Sequence, residues 1–121
     1  MNGISIIICC YNSASRLEKT IQHIALQKQV SFSFEVVLVD NNSTDKTSVV
    51  AQKLFLKYNI VNYQIVFEST KGLIYARKCG VLNAKHDILV FCDDDNWLEV
   101  NYLFNVALGF NIYPDAGILG S

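Results

Sequence analysis

The chain has 121 residues, of which 51% are hydrophobic and 17% charged, with a single proline. That is one domain's length with apolar material for one core, and it excludes a disordered tail. Ten basic against eleven acidic residues give a net charge of −1, so nothing suggests the electrostatic footprint of a nucleic-acid binder or a polybasic membrane anchor, and any charge that matters is local.

The opening residues run straight into an apolar segment with no basic n-region or cleavage site. No later run reaches the roughly 18 apolar residues of a membrane span, so a cytoplasmic location is expected. The first strand is ISIIIC, Ile4 to Cys9, a continuous β-branched run. SRLEKTIQHIALQ follows, with Leu17, Ile21, Ile24 and Ala25 at helical spacing behind a Ser15-x-x-Glu18 capping box. EVVLVD, Glu35 to Asp40, is the second strand; the helix after it carries Val50, Leu54 and Tyr58 on one face, with Ser43 or Thr44 as its cap.

YQIVF, Tyr63 to Phe67, is the third strand, and a turn at STKG leads into a helix from about Leu73 to Ala84. Ala76, Gly80 and Ala84 fall along one side of that helix, small residues that let it lie close to a sheet. DILVFC is the fourth strand, followed by a helix over roughly Glu99 to Phe110 with Leu103, Val106, Ala107 and Phe110 on its apolar side. AGILGS then reads as a fifth strand that has barely begun, as if the chain stopped mid-fold. Strands buried on both faces and alternating with helices predict a Rossmann-like, mostly parallel α/β sheet with helices on both faces and right-handed crossovers. No linker or repeat interrupts it, so residues 1–121 are expected to form a single domain.

Cys9, Cys10, Cys79 and Cys92 show neither a CxxC pair nor a disulfide framework and read as small buried hydrophobes. The sequons at Asn41 and Asn42 read as turn residues.

In a parallel sheet, ligands bind beyond the carboxyl ends of the strands, and the polar residues collect there. The first strand exits into Tyr11 and Asn12, the second into Asp40, Asn41 and Asn42, the third into Glu68, and the fourth into Asp93, Asp94, Asp95 and Asn96. Two carboxylates at roughly 4 Å repel by about 4 kcal/mol at an effective dielectric near 20, so the aspartate run calls for a positive partner that the sequence does not show. Hard oxygen ligands suit magnesium or manganese, which take one or two protein carboxylates and complete their shell with water and substrate phosphates. The competing reading is a solvated acidic turn in which Asp95 or Asn96 caps the next helix.

SIIICCYN, EVVLVDNNSTDKT, STKGLIYARKCGVLNAKHDILVFCDDDNWL and YPDAGILG, in that order and spacing, resemble the N-terminal, nucleotide-sugar-binding half of a family 2 inverting glycosyltransferase of the GT-A fold. The likeness spans nearly the whole chain and is far more specific than an isolated DxD. It implies transfer of a sugar from a nucleotide-diphosphate donor, UDP-linked, to a saccharide or lipid-linked acceptor hydroxyl, assisted by Mg2+ or Mn2+. It implies that Asp40 and Asn42 meet the nucleotide base side, with Cys10, Tyr11 and Asn12 lining the pocket. Lys71 and Gly72 would approach the sugar nucleotide, and Arg77 would point inward beside the acidic motif. Asp93 or Asp94 would reach the ribose, and Asp95, with Asp93, the metal. The chain departs from many relatives in carrying Cys9 in place of a proline and Asp94 in place of a serine.

The resemblance also places the general base and the residues that help the diphosphate leave beyond Ser121, which would leave this stretch inactive alone. His23, on an apolar helix face, and His86, in a turn, are poor substitutes. A sheet edge at Ile118 and Leu119 without its acceptor half would invite self-association. Two other classes remain: a non-catalytic nucleotide-binding module, and a receiver-like phosphoacceptor domain. Receivers carry their acidic pair after the first strand, where this chain has Cys9, Cys10 and Tyr11. A P-loop nucleotidase lacks its GxxxxGK[ST] loop here.

Overall fold

The computed structural model describes residues 3–27, 33–112 and 118–120, with side chains described up to residue 109. In chain order the elements are β1 (Gly3–Cys10), α1 (Leu17–Ala25), β2 (Ser33–Asp40), α2 (Thr47–Lys57), β3 (Tyr63–Phe67), α3 (Leu73–Asn83), β4 (Ile88–Asp93), α4 (Tyr102–Ile112) and β5 (Ile118–Gly120). They form one five-stranded sheet in the order β3-β2-β1-β4-β5, with every pairing parallel. The expected Rossmann-like α/β fold is what forms.

The β-branched run of β1 lies at the centre of the sheet, and its side chains alternate between two apolar layers. Ile4, Ile6, Ile8 and Cys10 enter a core shared with Leu17, Ile21 and Ile24 of α1, Leu54 and Phe55 of α2, and Leu103 and Val106 of α4. Ile7 joins Val37, Val39, Leu89 and Ala76 of α3 on the opposite face, with Cys9 and Cys79 packed around them. Each fully buried isoleucine contributes about 1.5–3 kcal/mol.

The small-residue side of α3 lies on the sheet as its spacing predicts. Ala76 and Gly80 are buried, and a Cβ on Gly80 would collide with the Ile7 side chain and sit 3.3 Å from Val39 Cγ2. Val50, Leu54 and Tyr58 face the core from α2, which also buries Ala51 and Phe55 completely.

Both predicted helix caps are replaced. The first helical residue of α1 is Leu17, after Arg16, with no side-chain cap. Glu18 instead accepts from Lys57 Nζ at 2.5 Å and Tyr58 Oη at 2.8 Å, tying α1 to α2. In α2 the boundary falls after Lys46, not at Ser43 or Thr44. Those two residues are held by Asn12, whose N–H donates to Ser43 Oγ at 3.0 Å and whose Oδ1 accepts from Thr44 N at 2.8 Å. A long-range tie across the carboxyl edge thus displaces a local cap.

The last helix begins at Tyr102 rather than Glu99; Leu103, Val106 and Ala107 are buried as expected, and the Phe110 side chain lies outside the described residues. Residues Ile118–Gly120 pair in parallel with β4, Ile118 opposite Leu89. The expectation of self-association through Ile118 and Leu119 concerns side chains outside the described residues. All four cysteines are free; Cys10 and Cys92 are buried, Cys9 and Cys79 half-buried. Burial pushes the Cys9 thiol up to about 11 and the Cys92 thiol up to about 12, so both are unreactive at neutral pH.

Candidate functional site

The strand order reverses at β1, with β2 on one side and β4 on the other, which makes the carboxyl ends of these strands the natural ligand crevice. Register sets the acidic residues on one level: Cys10 of β1 is opposite Asp40 of β2, and Cys9 is opposite Asp93 of β4. Asp40 and Asp93 therefore end strands two apart, on the order of 10 Å across the rim. Alternation then sends them to different faces. Asp93 shares the parity of Cys9 and Phe91 and faces the α3 side, while Asp40 shares that of Cys10 and faces α1 and α2.

On the α3 side lies a cleft of ≈ 440 Å³ lined by Cys9, Cys10, Tyr11, Asn41, Lys71, Gly72, Leu73 and Ala76. Four residues expected at the substrate, Cys10, Tyr11, Lys71 and Gly72, are brought together here. Tyr11 and Lys71 meet across it, the Lys71 ammonium donating to Tyr11 Oη at 3.2 Å and lying 4.9 Å from the ring centroid. Gly72 adopts a φ of 136°, a conformation that favours glycine, and its carbonyl accepts from Ala76 N at 3.1 Å to start α3.

Asn41 is what shapes this cleft, and it was recognisable in the sequence only as one more polar strand end. Its side chain is a three-way clamp: Nδ2 donates to Glu68 O at 3.1 Å and Thr70 O at 2.8 Å, and Oδ1 accepts from Gly72 N at 2.9 Å. The 68–72 loop is thereby fixed to the end of β2. Asn42, with a φ of 59°, adds a contact from Nδ2 to Ser69 O at 3.3 Å. Asn12 lies outside the cleft lining and serves the α1–α2 side, as the tie to residues 43–45.

Asp40 is buried, and its two oxygens are partly used: Oδ1 accepts from Ser43 N at 3.0 Å and Oδ2 from Ser48 Oγ at 2.6 Å. A carboxylate has about four acceptor sites, so lone pairs remain for a ligand N–H.

The aspartate run is divided. Asp94 turns back toward α1, where it accepts from Ser13 Oγ, from Arg16 Nε at 3.0 Å, and pairs with the second Arg16 nitrogen at 2.9 Å. Arg16 also holds Tyr11 O and Asn12 O, each at 3.1 Å, and so staples the β1 exit to the acidic turn. The cation that the sequence did not show beside the triplet is thus in part supplied by this chain, 78 residues earlier. Nothing local marks Arg16 for that role.

Asp93 and Asp95 are exposed, and no described residue donates a hydrogen bond to either carboxylate. Asp95 borders a second cleft on the α1 side with Arg16, Lys19 and Trp97, while Asp93 faces α3. The three aspartates therefore do not form one cluster, and among the described residues no group of three His, Cys, Asp or Glu could hold a metal.

Arg77 differs from its expected inward setting beside the carboxylates. It is exposed, and its guanidinium covers the Phe91 ring at 5.2 Å from the centroid; no ion pair to it comes from the described residues. Stacking on an aromatic ring suits a planar guanidinium, and it keeps the charge on the same face as Asp93. His23 stacks on Trp97 at 5.7 Å and its Nδ1 meets Lys19 O at 2.7 Å, away from the cleft. His86 sits at the opposite, amino end of the sheet, where its N–H donates to Ser5 Oγ at 3.2 Å.

The family model described as Glycosyl transferase family 2 matches residues 5–121, and the chain belongs to that family. It is 30% identical over 105 residues to a dolichyl N-acetyl-alpha-D-glucosaminyl phosphate 3-beta-D-2,3-diacetamido-2,3-dideoxy-beta-D-glucuronosyltransferase of Methanococcus voltae, covering 87% of this chain and 33% of that protein. Among solved structures it resembles residues 1–349 of S. aureus TarS in complex with UDP, at a TM-score of 0.82 and 25% identity, over 94% of this chain and 33% of that one. A mannosyltransferase of Pyrobaculum calidifontis in complex with GDP-Man and Mn2+ matches at a TM-score of 0.73 and 26% identity, over 80% of this chain and 29% of that one. The chain spans about a third of the length of these relatives. Among the described residues, no helix is long and apolar enough to cross a membrane.

Proposed function

We propose that this chain binds a nucleoside-diphosphate sugar, UDP-linked, and forms the donor-binding part of an enzyme that transfers the sugar, with inversion, to the hydroxyl of a saccharide or lipid-linked acceptor. The observation that carries this reading is the cleft at the strand-order reversal. It has an aromatic residue and a lysine at its mouth and a glycine-hinged loop clamped by Asn41, and the flanking strands end, one register step apart, in Asp40 and Asp93 on its rim. The UDP and GDP-Man complexes of the structural relatives and the lipid-phosphate name of the Methanococcus voltae relative support it.

Each residue then has a physical task. Asp40, buried and already oriented by Ser43 and Ser48, offers its remaining lone pairs to a base N–H. Tyr11 supplies a flat apolar surface, and the Lys71 ammonium, held beside it, offers a mobile cation to a diphosphate. Arg77, parked on Phe91, adds a second cation on the Asp93 face.

The donor chemistry also fits a hard divalent ion. Asp93 and Asp95 are exposed carboxylates on opposite faces that accept from no described residue, so an ion would be held by one of them, Asp93 on the cleft's face, and magnesium or manganese held by a single carboxylate would take its other ligands from water and phosphate. Such an ion, when bound, neutralises charge developing on the leaving diphosphate. We assign the general base to no residue of this chain, since both histidines lie away from the cleft.

The test is thermal unfolding with UDP in the presence and absence of manganese. Ligand at about 100 times its dissociation constant adds about 2.7 kcal/mol to stability. A shift that needs metal and shrinks in Asp93→Asn is the expected result; no shift with any nucleoside diphosphate plus metal overturns the reading.

A further inference from the structure

A single arginine outside the cleft ties together the two parts of the rim that a donor would touch at once. Tyr11 lines the cleft just beyond the end of β1, and the aspartate run closes β4, the strand beside it. The peptide groups of Tyr11 are held on both sides: its N–H donates to Ser13 Oγ at 3.1 Å, and its carbonyl accepts from Arg16 Nη2 at 3.1 Å. Both of those partners converge on one atom. Ser13 Oγ and Arg16 Nε donate to Asp94 Oδ2, with Arg16 Nη2 2.9 Å from the same oxygen. Between them Asn12 turns the chain with a φ of 50°, and Arg16 Nη1 holds its carbonyl at 3.1 Å.

The aspartate run is fixed from the same side. Thr20 of α1, itself buried, donates from Oγ1 to the Asp94 carbonyl at 2.8 Å, so both the side chain and the backbone of Asp94 are engaged. Ser13 is anchored in turn, its N–H donating to Thr47 Oγ1 of α2 at 2.9 Å. A guanidinium presents its five N–H groups as a rigid fork and can serve a carboxylate and two carbonyls together, whereas a lysine ammonium is a single point on a flexible stem. Arg16 does not line the cleft on the α3 side; it borders the α1-side cleft with Asp95.

We infer that Arg16 is a positioning residue for donor binding: through Asp94 it sets Tyr11 on β1 and Asp93 on β4 at a fixed separation, and Asp94 is committed to this pair and is not a ligand of the donor. The inference rests on the donor-binding reading above and adds to it a residue that touches neither nucleotide nor ion. A ribose hydroxyl or a metal at Asp94 would have to compete with Arg16 and Ser13 for an oxygen that already has three partners.

The test is calorimetric titration of UDP, with manganese present, into the parent chain and the variants Arg16→Met, Arg16→Lys, Asp94→Ser and Arg16→Met with Asp94→Ser, at a temperature where circular dichroism shows each of them folded. Arg16→Met is expected to raise the dissociation constant roughly tenfold, the low end of what residues behind a ligand group contribute. Arg16→Lys keeps the charge but loses the fork, and a similar weakening is expected. Asp94→Ser alone is expected to cost about the same, and the double variant no more than either single one, because the two side chains act as a unit. A purely structural role would lower the melting temperature and leave the dissociation constant where it was, and that result overturns the proposal. Full rescue by Arg16→Lys overturns it too, as do losses that multiply in the double variant, which would make Asp94 a ligand in its own right. A parent chain that binds no UDP overturns the donor reading itself, whereas a parent that binds and Arg16 variants that bind equally well overturn only the part given to Arg16.

Discussion

Glu35 at the amino end of the sheet and the aspartate run at the carboxyl end of β4 are handled in opposite ways. At the amino end, Glu35 is buried at 4% exposure and fully answered from within: it accepts from Ser5 Oγ at 2.7 Å, Gln64 Nε2 at 3.0 Å and Lys85 N at 2.6 Å. At the carboxyl end of β4 the aspartate run is left largely open: Asp94 is paired by Arg16 and Ser13, while Asp93 and Asp95 are exposed and accept from no described residue. A carboxylate whose partners are internal serves the fold. One left open at a strand-order reversal serves something outside it.

The sharpest way to break this contrast is to remove one acid from each end. Glu35→Ala leaves three donors at a buried site without an acceptor, and a loss of about 3 kcal/mol is expected in urea unfolding. Asp93→Asn is expected to change stability by less than about 0.5 kcal/mol, as for surface sites generally, while weakening metal-dependent nucleotide binding. Equal stability losses from the two variants would erase the distinction between the ends.

Acid titration probes the same asymmetry. Burial pushes the Glu35 carboxyl up, but the hydrogen bonds from Lys85, Gln64 and Ser5 and the nearby His86 outweigh it, and the group titrates below its ordinary value of 4.5. The unfolded chain therefore binds the proton more readily, so the Glu35 contribution is fully present above that ordinary value and is lost as pH falls through the lower native one. Stability measured from pH 6 downward should fall less steeply in Glu35→Gln than in the parent chain, and parallel slopes would refute this.

Asn41→Ala has the next largest expected effect. It removes the clamp on Glu68, Thr70 and Gly72, costing about 2 kcal/mol and weakening nucleotide binding about tenfold by freeing the loop. A full loss of stability with unchanged nucleotide affinity would show that the loop does not shape the site. Arg16→Met is expected to be milder, about 1 kcal/mol, because the ion pair is partly exposed. Combining it with Asp94→Ser should restore most of that loss, since the unpaired charge goes with it; an additive pair of losses would mean that Arg16 acts only through the Tyr11 and Asn12 carbonyls.

How far the site could be read in advance depended on the range of the interactions involved. Tyr11, Asp40 and Asp93 were recognisable as strand exits because a buried apolar run ending in polar residues is a local pattern. Arg77 was not, because the Phe91 ring that receives it lies on another element. The Ser15–Glu18 cap failed for the same reason: Lys57 and Tyr58 of α2 compete for Glu18.

What the sequence determined by itself is the alternation of strands and helices, the parallel sheet they imply, and the rim on which its polar residues gather. Periodicity and burial are properties of short stretches, and they survive without knowledge of the neighbours. What the tertiary structure decided is how the charges are shared out: Asp94 to Arg16, Asn41 to the 68–72 loop, Asp93 and Asp95 to solvent on opposite sides. Those assignments depend on which side chains come within about 3 Å of one another across the strand ends, a distance set by register and packing between residues far apart in the chain.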